Sequence, residues 1–172
     1  MKRISILAVT FLLMTTATFA QKFCFVDMEY ILGKMPSYTD AQKQLDGASS
    51  GFQKEIETKR KAVDDMYKSF QAEQVLMTDQ MKQQKIKEIE TAEKEVKDLQ
   101  KKKFGPDGEL FAKRKDLVKP IQDKVYDEIQ KFASAKGYDF IFDKSSGPSM
   151  LFATERLNKS DEILSNMGIT KK

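Results

Sequence analysis

Mainly apolar residues recur at seven-residue spacing in two rows along the chain after Ser37. The first row contains Gln42, Ser49, Ile56, Val63, Phe70 and Met77. The second row contains Tyr38, Leu45, Phe52, Lys59, Met66 and Glu73. Such rows form one face of an α-helix and predict a coiled-coil-like seam, which the polar residues Ser49, Lys59 and Glu73 interrupt. We expect the helix to begin near Ser37, whose hydroxyl is a favourable N-cap after Pro36.

A second helix should run back along the first. Its apolar residues, again at heptad spacing, are Ile89, Ala92, Val96 and Leu99. Thr78 can cap its first turn, and Asp79 would lie favourably at the positive end of the helix dipole. The pattern therefore predicts a hairpin with its tip near residues 76–79. Since this stretch has no glycine or proline, one continuous helical rod is the alternative.

Short strand-like segments flank the helical region. Phe23 to Met28 and Tyr138 to Asp143 are rich in aromatic and β-branched residues. These two strands can meet only if the intervening helix goes out and returns, which favours the hairpin. Met150 to Ala153 resembles a third strand, so residues 138–153 should form a β-hairpin. Ser160 is expected to cap a final helix from Asp161 to Met167.

The return helix is interrupted by the segment from Gly105 to Gly108, which has two glycines and a proline within four residues. We interpret it as a structural hinge or bulge. An apolar stripe then runs from Leu110 to Phe132 and should pack in the body or against other subunits.

The predicted fold class is mostly α with a small β body. A long antiparallel coiled-coil-like helical hairpin projects from a β-rich oligomerisation domain. The body would comprise residues 21–36 and 110–172, and the arm residues 37–109. A body of this size is too small to support so long a rod alone, so self-association is expected.

Residues 1–20 have the pattern of a cleaved secretory signal. Lys2 and Arg3 precede a short apolar run, and Thr18-Phe19-Ala20 predicts cleavage after Ala20. An uncleaved membrane anchor is the alternative. The full chain carries a net charge of +4. Without the two basic residues of the signal, the net charge falls to +2, with Lys and Glu interspersed. So balanced a charge argues against a nucleic-acid-binding protein.

Candidate chemistry is sparse in this sequence. There is no histidine, and the single cysteine, Cys24, lies between two phenylalanines like a buried small hydrophobe. The usual zinc and nucleophilic constellations therefore cannot form, and no glycine-rich phosphate loop is present. We predict no catalytic, cofactor or metal site, and no enzyme activity.

Several segments resemble the Skp/OmpH family of periplasmic chaperones for outer-membrane proteins. The resemblance covers essentially the whole chain after the signal and depends on the order and spacing of the segments. They are Val26-Asp27 before Tyr30-Ile31-Leu32, the charged hairpin, Gly105 to Leu110, Lys119 to Val125, Gly137 to Asp143 and Asp161 to Leu164. The resemblance implies a homotrimer with three arms around a cavity. It also implies that unfolded outer-membrane proteins are held there without ATP, and no catalytic residue is carried over.

Six arm residues are candidates for contact with the bound chain. They are Met66, Phe70, Met77, Lys82, Lys85 and Lys87. Pliable methionine and aromatic side chains suit varied apolar segments, and the lysines can attract acidic chains, anionic lipid or lipopolysaccharide. The alternatives are that the apolar three belong to the arm's own seam and that the lysines form a solvated face. An elongated envelope scaffold that binds a folded partner is the competing function.

Overall fold

A computed structural model describes residues 21–147 and 150–170, so the predicted signal lies outside the described residues. In chain order the elements are β1 (Phe23–Val26), α1 (Met28–Lys34), α2 (Pro36–Glu73), α3 (Asp79–Phe104), α4 (Glu109–Lys136), β2 (Phe140–Asp143) and α5 (Ser160–Asn166). Single 3₁₀ turns cover Gln74–Leu76 and Glu155–Leu157. The prediction of a mostly helical chain with a small sheet is confirmed.

The sheet pairs β1 with β2 in parallel, with Phe23 opposite Phe140 and Val26 opposite Asp143. Parallel neighbours need a long crossover, and here the crossover is the entire helical excursion between them. The predicted third strand is wrong. Residues 150–153 have no strand conformation, and the predicted β-hairpin over 138–153 does not form.

Helices α2 and α3 form the predicted hairpin, which excludes the continuous rod. Lys59 Nζ lies 3.1 Å from Glu95 Oε2, and the Tyr67 hydroxyl donates to Glu93 at 3.0 Å. Because residues later in α2 meet residues earlier in α3, the two helices are antiparallel. The 38 residues of α2 span ~57 Å at 1.5 Å per residue.

The two heptad rows of α2 do form its inward face. Leu45 and Ile56 are buried, and the other row positions are half-buried except Lys59 and Glu73, which are exposed. On α3, Ile89 and Val96 are buried as their spacing predicted. The seam is therefore present, and it is more open where polar residues interrupt the rows.

The predicted cap at Ser37 is wrong, because α2 begins one residue earlier, at Pro36. Proline suits the first helical position, where its missing N–H would have no partner in the helix and its φ is already helical. Thr78 does cap α3 as predicted, since its hydroxyl accepts from Met81 N at 3.3 Å.

The break between α3 and α4 lies at Gly105–Gly108, as the sequence indicated. Gly105 N donates to Lys101 O at 2.8 Å, and Gly108 N donates to Gly105 O at 2.9 Å. A Cβ on Gly108 would lie 2.9 Å from three backbone atoms. Glycine is required at Gly108 by this close approach of the chain.

The core lies where β1, α1, the base of α2, α4 and α5 meet. Its most buried members include Ile31, Val125, Ile163 and Cys24. Cys24 is 1% exposed, as expected of a small hydrophobe, and burial raises the pKa of its thiol. The predicted cap role of Ser160 is wrong. Ser160 is the first residue of α5, and its buried hydroxyl accepts from Asp27 N at 2.8 Å.

Candidate functional site

An open cleft of about 500 Å³ lies between α2 and α3 in the distal half of the hairpin. Its lining residues are Ala62, Asp65, Met66, Ser69, Phe70, Glu73, Met77, Lys85 and Ile89. Most of them come from three successive turns of α2, and Lys85 and Ile89 supply the α3 side. Glu73 takes a heptad position on this face and is exposed, so the seam lacks an apolar residue there.

All three predicted apolar contact residues, Met66, Phe70 and Met77, lie together in this cleft. Each is half-buried, so each packs within the arm while part of its surface stays accessible. These residues can therefore belong to the arm's own seam and still be accessible to a bound chain. A flexible thioether on either side of an aromatic ring gives a surface that can adapt to differently shaped apolar groups.

The three predicted lysines do not form one group. Lys85 lines the cleft, and its ammonium lies 2.9 Å from the Glu88 carboxylate. That hydrogen bond raises the pKa of Lys85 and lowers the pKa of Glu88. Lys82 is half-buried and does not line the cleft, and Lys87 lies in a separate shallow groove along α3.

Sequence reasoning missed the acidic rim of the cleft. Asp65 and Glu73 line it beside the apolar floor, and Ile89 closes the floor from α3. Ile89 was identified only as a seam residue. The helical spacing of Asp65, Ser69 and Glu73 would have shown that they share a face, since residues four apart are neighbours on a helix.

Lys103 makes several side-chain contacts around the helix break at Gly105–Gly108. Its side chain is 13% exposed, and Nζ lies 2.8 Å from Glu109 Oε2 and 3.4 Å from Glu55 Oε2. The same ammonium lies 4.5 Å from the centroid of the Phe52 ring, which packs edge-on against Phe104. Lys103 thus connects α3 to both α2 and α4.

A second apolar surface lies on the body, and we call it the sheet surface. It consists of the exposed residues Phe23, Phe140, Phe142, Leu151 and Phe152. Phe140 and Phe142 project from the same side of β2, with ring centroids 6.4 Å apart. Monomeric proteins rarely expose so concentrated a group of aromatic side chains.

Over residues 21–147 and 150–170, no group of acidic or cysteine side chains is arranged to hold a metal ion. Within the same ranges, every helix is too short or too polar to cross a bilayer.

Comparison with known proteins assigns the chain to a family. A family model described as outer membrane protein (OmpH-like) matches residues 22–167. A solved structure of an OmpH-like protein from Caulobacter crescentus CB15, which is called an outer membrane chaperone, has a similar fold. The TM-score is 0.68 at 12% sequence identity, over 92% of each chain. No curated protein matches the sequence. The chain belongs to the OmpH-like family.

Proposed function

We propose that this protein is an ATP-independent holdase in the periplasm. It binds unfolded outer-membrane proteins between its helical arms and prevents their aggregation. The observation that carries the proposal is the partly accessible apolar floor of Met66, Phe70 and Met77 in a cleft between two arm helices. Membership of the OmpH-like family and the fold shared with an OmpH-like chaperone support it.

The chemistry of the cleft suits a chain that is unfolded rather than a single small ligand. Its apolar residues are spread along three helical turns and are rimmed by Asp65, Glu73 and Lys85. An open groove of this kind gives modest apolar contact without a deep pocket, and specific ligands usually need such a pocket. Weak contacts repeated along several arms would retain a client through multivalency.

The direct experiment dilutes a urea-unfolded outer-membrane β-barrel protein into the purified protein lacking residues 1–20. Light scattering and the mass of the complex are followed together. We expect suppressed scattering and a complex of defined mass with several unrelated barrel proteins. Unchanged scattering with all of them would refute the holdase and favour the alternative, a scaffold for a folded partner.

A variant pair links that activity to the cleft. Met66→Gln with Phe70→Gln keeps helix-forming side chains but makes the floor polar. We expect weaker suppression of aggregation at equal protein concentration. The matched control is Ile86→Gln, because Ile86 is an exposed α3 residue outside the cleft. Equal loss in both variants would show that the effect is not specific to the cleft.

We further propose that the chain forms a homotrimer through a body of residues 21–36 and 110–172, from which the 37–109 arms project. The sheet surface supports this, since Phe23, Phe140 and Phe142 are half exposed beside a sheet of only two strands. Phe140→Ser with Phe142→Ser should reduce the mass measured by light scattering after gel filtration. An unchanged trimer mass would rule out this surface as the interface.

The remaining parts of the proposal concern lysines and location. Export depends on the signal predicted over residues 1–20. Lys82, Lys85 and Lys87 are proposed to attract acidic segments, and transient contact with anionic lipid or lipopolysaccharide is included. Lys85 is already paired with Glu88, so its contribution should be the smallest of the three. Neutralising each lysine in turn to Gln, with client affinity measured at two salt concentrations, tests this order.

A further inference from the structure

Two aliphatic side chains stand almost fully in solvent at the end of the arm. Val75 is 85% exposed and Leu76 is 89% exposed. Both belong to the 3₁₀ turn Gln74–Leu76 that joins α2 to α3. Burial of either side chain would have been favourable, so folding of the arm gains almost no hydrophobic stabilisation from these two residues.

The turn that carries them is held in place from both sides. Gln74 N closes the end of α2 by donating to Phe70 O, and Met77 N donates to Gln74 O at 3.3 Å. Thr78 then caps α3. Val75 and Leu76 are consequently displayed on an ordered turn, which reduces the entropy that a partner must remove on binding.

The tip continues directly into the cleft. Met77 follows Leu76 in the chain and is itself a lining residue of the cleft, together with Phe70. Met77 therefore joins the cleft to the turn that carries Val75 and Leu76.

The charge around the tip favours a polypeptide over a membrane. Residues 74–78 carry no charge, and the nearest ionisable side chains on either side are Glu73 and Asp79, both acidic. Anionic lipid surfaces attract basic clusters, whereas the first two lysines after the tip are Lys82 and Lys85, and Lys85 is paired with Glu88. The other neighbours in the chain include three glutamines with exposed side chains, Gln71, Gln80 and Gln83. Amide side chains can donate to and accept from an unpaired backbone.

We propose that Val75 and Leu76 form a second client contact, which binds apolar residues of an extended, unfolded chain that leaves the cleft at the arm tip. This proposal depends on the holdase function and adds a site to it. The flanking glutamines bind the backbone of the same segment. The part of the client chain that extends beyond the cleft is thereby bound at the arm tip instead of being exposed to solvent.

The experiment uses the full chain without residues 1–20 and a urea-unfolded outer-membrane β-barrel protein as the probe. In Val75→Gln with Leu76→Gln, the dissociation constant should rise about tenfold, because two aliphatic contacts of modest area are lost. Ile86→Gln serves again as the control for removal of an exposed aliphatic residue from the arm, and its affinity should stay within a factor of two of wild type. Circular dichroism checks that each variant keeps its helices.

A photo-crosslinking side chain in place of Leu76 identifies what the tip touches. It should label the unfolded barrel protein and leave vesicles of phosphatidylglycerol and phosphatidylethanolamine unlabelled. Labelling of lipid instead, or an affinity of the tip variant equal to wild type, would overturn the tip proposal and leave the holdase standing. If the wild-type protein itself fails to bind the client, the holdase fails first and the tip site with it.

Discussion

The ammonium of Lys103, at the end of α3, lies 2.8 Å from the carboxylate of Glu109, at the start of α4. The pair spans the four-residue break in the return helix and also reaches α2 through Glu55 and the Phe52 ring. These contacts cross a short, glycine-rich loop and hold the end of α3 against α2 and against the start of α4.

The Lys103–Glu109 pair should affect how the free energy of unfolding changes at acidic pH. The hydrogen bond from Lys103 holds the pKa of Glu109 below its usual value of 4.5. A lowered folded-state pKa contributes stability above the unfolded pKa, and that stability is lost as pH falls through the folded value. We therefore expect Glu109→Gln to flatten the loss of stability between about pH 5 and pH 3. Urea unfolding at a series of pH values measures this.

The control is Asp123→Asn, which breaks the exposed Lys119–Asp123 pair further along α4. An exposed pair of this kind contributes little to stability, so its acid profile should match wild type. If Asp123→Asn flattens the dependence of the unfolding free energy on pH as much as Glu109→Gln does, the Lys103–Glu109 pair is not a specific source of acid sensitivity.

Alkaline pH should reveal a contact within the arm. The Tyr67 hydroxyl donates to Glu93, and this hydrogen bond raises the pKa of the phenol above 10.0. A raised pKa gives stability below the unfolded value that is lost as pH rises through the folded value. Glu93→Gln should lower the Tyr67 pKa. The pKa of Tyr67 is measured from phenolate absorbance in a pH titration, and the Tyr67→Phe variant shows which part of the absorbance change belongs to Tyr67. An unchanged titration in Glu93→Gln would contradict the contact.

The buried hydroxyl of Ser160 links the start of α5 to Asp27, which precedes α1. Ser160 is 1% exposed, accepts from Asp27 N at 2.8 Å and donates to Asn158 Oδ1 at 2.7 Å. Ser160→Ala leaves the Asp27 N–H without its acceptor, so the free energy of unfolding should fall by about 1–3 kcal/mol. Ser134→Ala, at an exposed helical serine, should change it by less than about 0.5 kcal/mol. Chemical denaturation compares the two, and equal effects would contradict this role.

The role of Ser160 could not be predicted from the sequence. A serine before an acidic, apolar run predicts a helix cap from local chemistry alone. The structure instead uses the hydroxyl for a partner 133 residues away, and no local pattern contains that information. The predicted third strand also does not form. Residues 150–153 have suitable side chains for a strand, but side-chain type alone does not determine pairing, and the structure instead bridges Asn158 to Phe25 of β1.

The arm was more predictable because its structure is repetitive. Heptad spacing gave the buried face of α2 from Leu45 and Ile56, and Thr78 indicated where α3 begins. The apolar floor of the cleft followed from the same rows. The exposure of Val75 and Leu76 did not follow, because their hydrophobicity alone suggests burial, and only the turn geometry places them outside.

The break offers a paired test of close packing against helix propensity. At Gly108 an added Cβ would lie 2.9 Å from Gly105 N, Lys102 O and Lys103 O, whereas at Gly51 it would meet nothing within 4 Å. Gly108→Ala must displace backbone, so we expect a loss of about 1–3 kcal/mol in the free energy of unfolding. Gly51→Ala lies inside α2 and should increase stability by about 0.5–1 kcal/mol. Both values come from urea denaturation followed by circular dichroism. Equal and favourable effects at both positions would mean that the backbone at the break moves freely to accommodate the added methyl group.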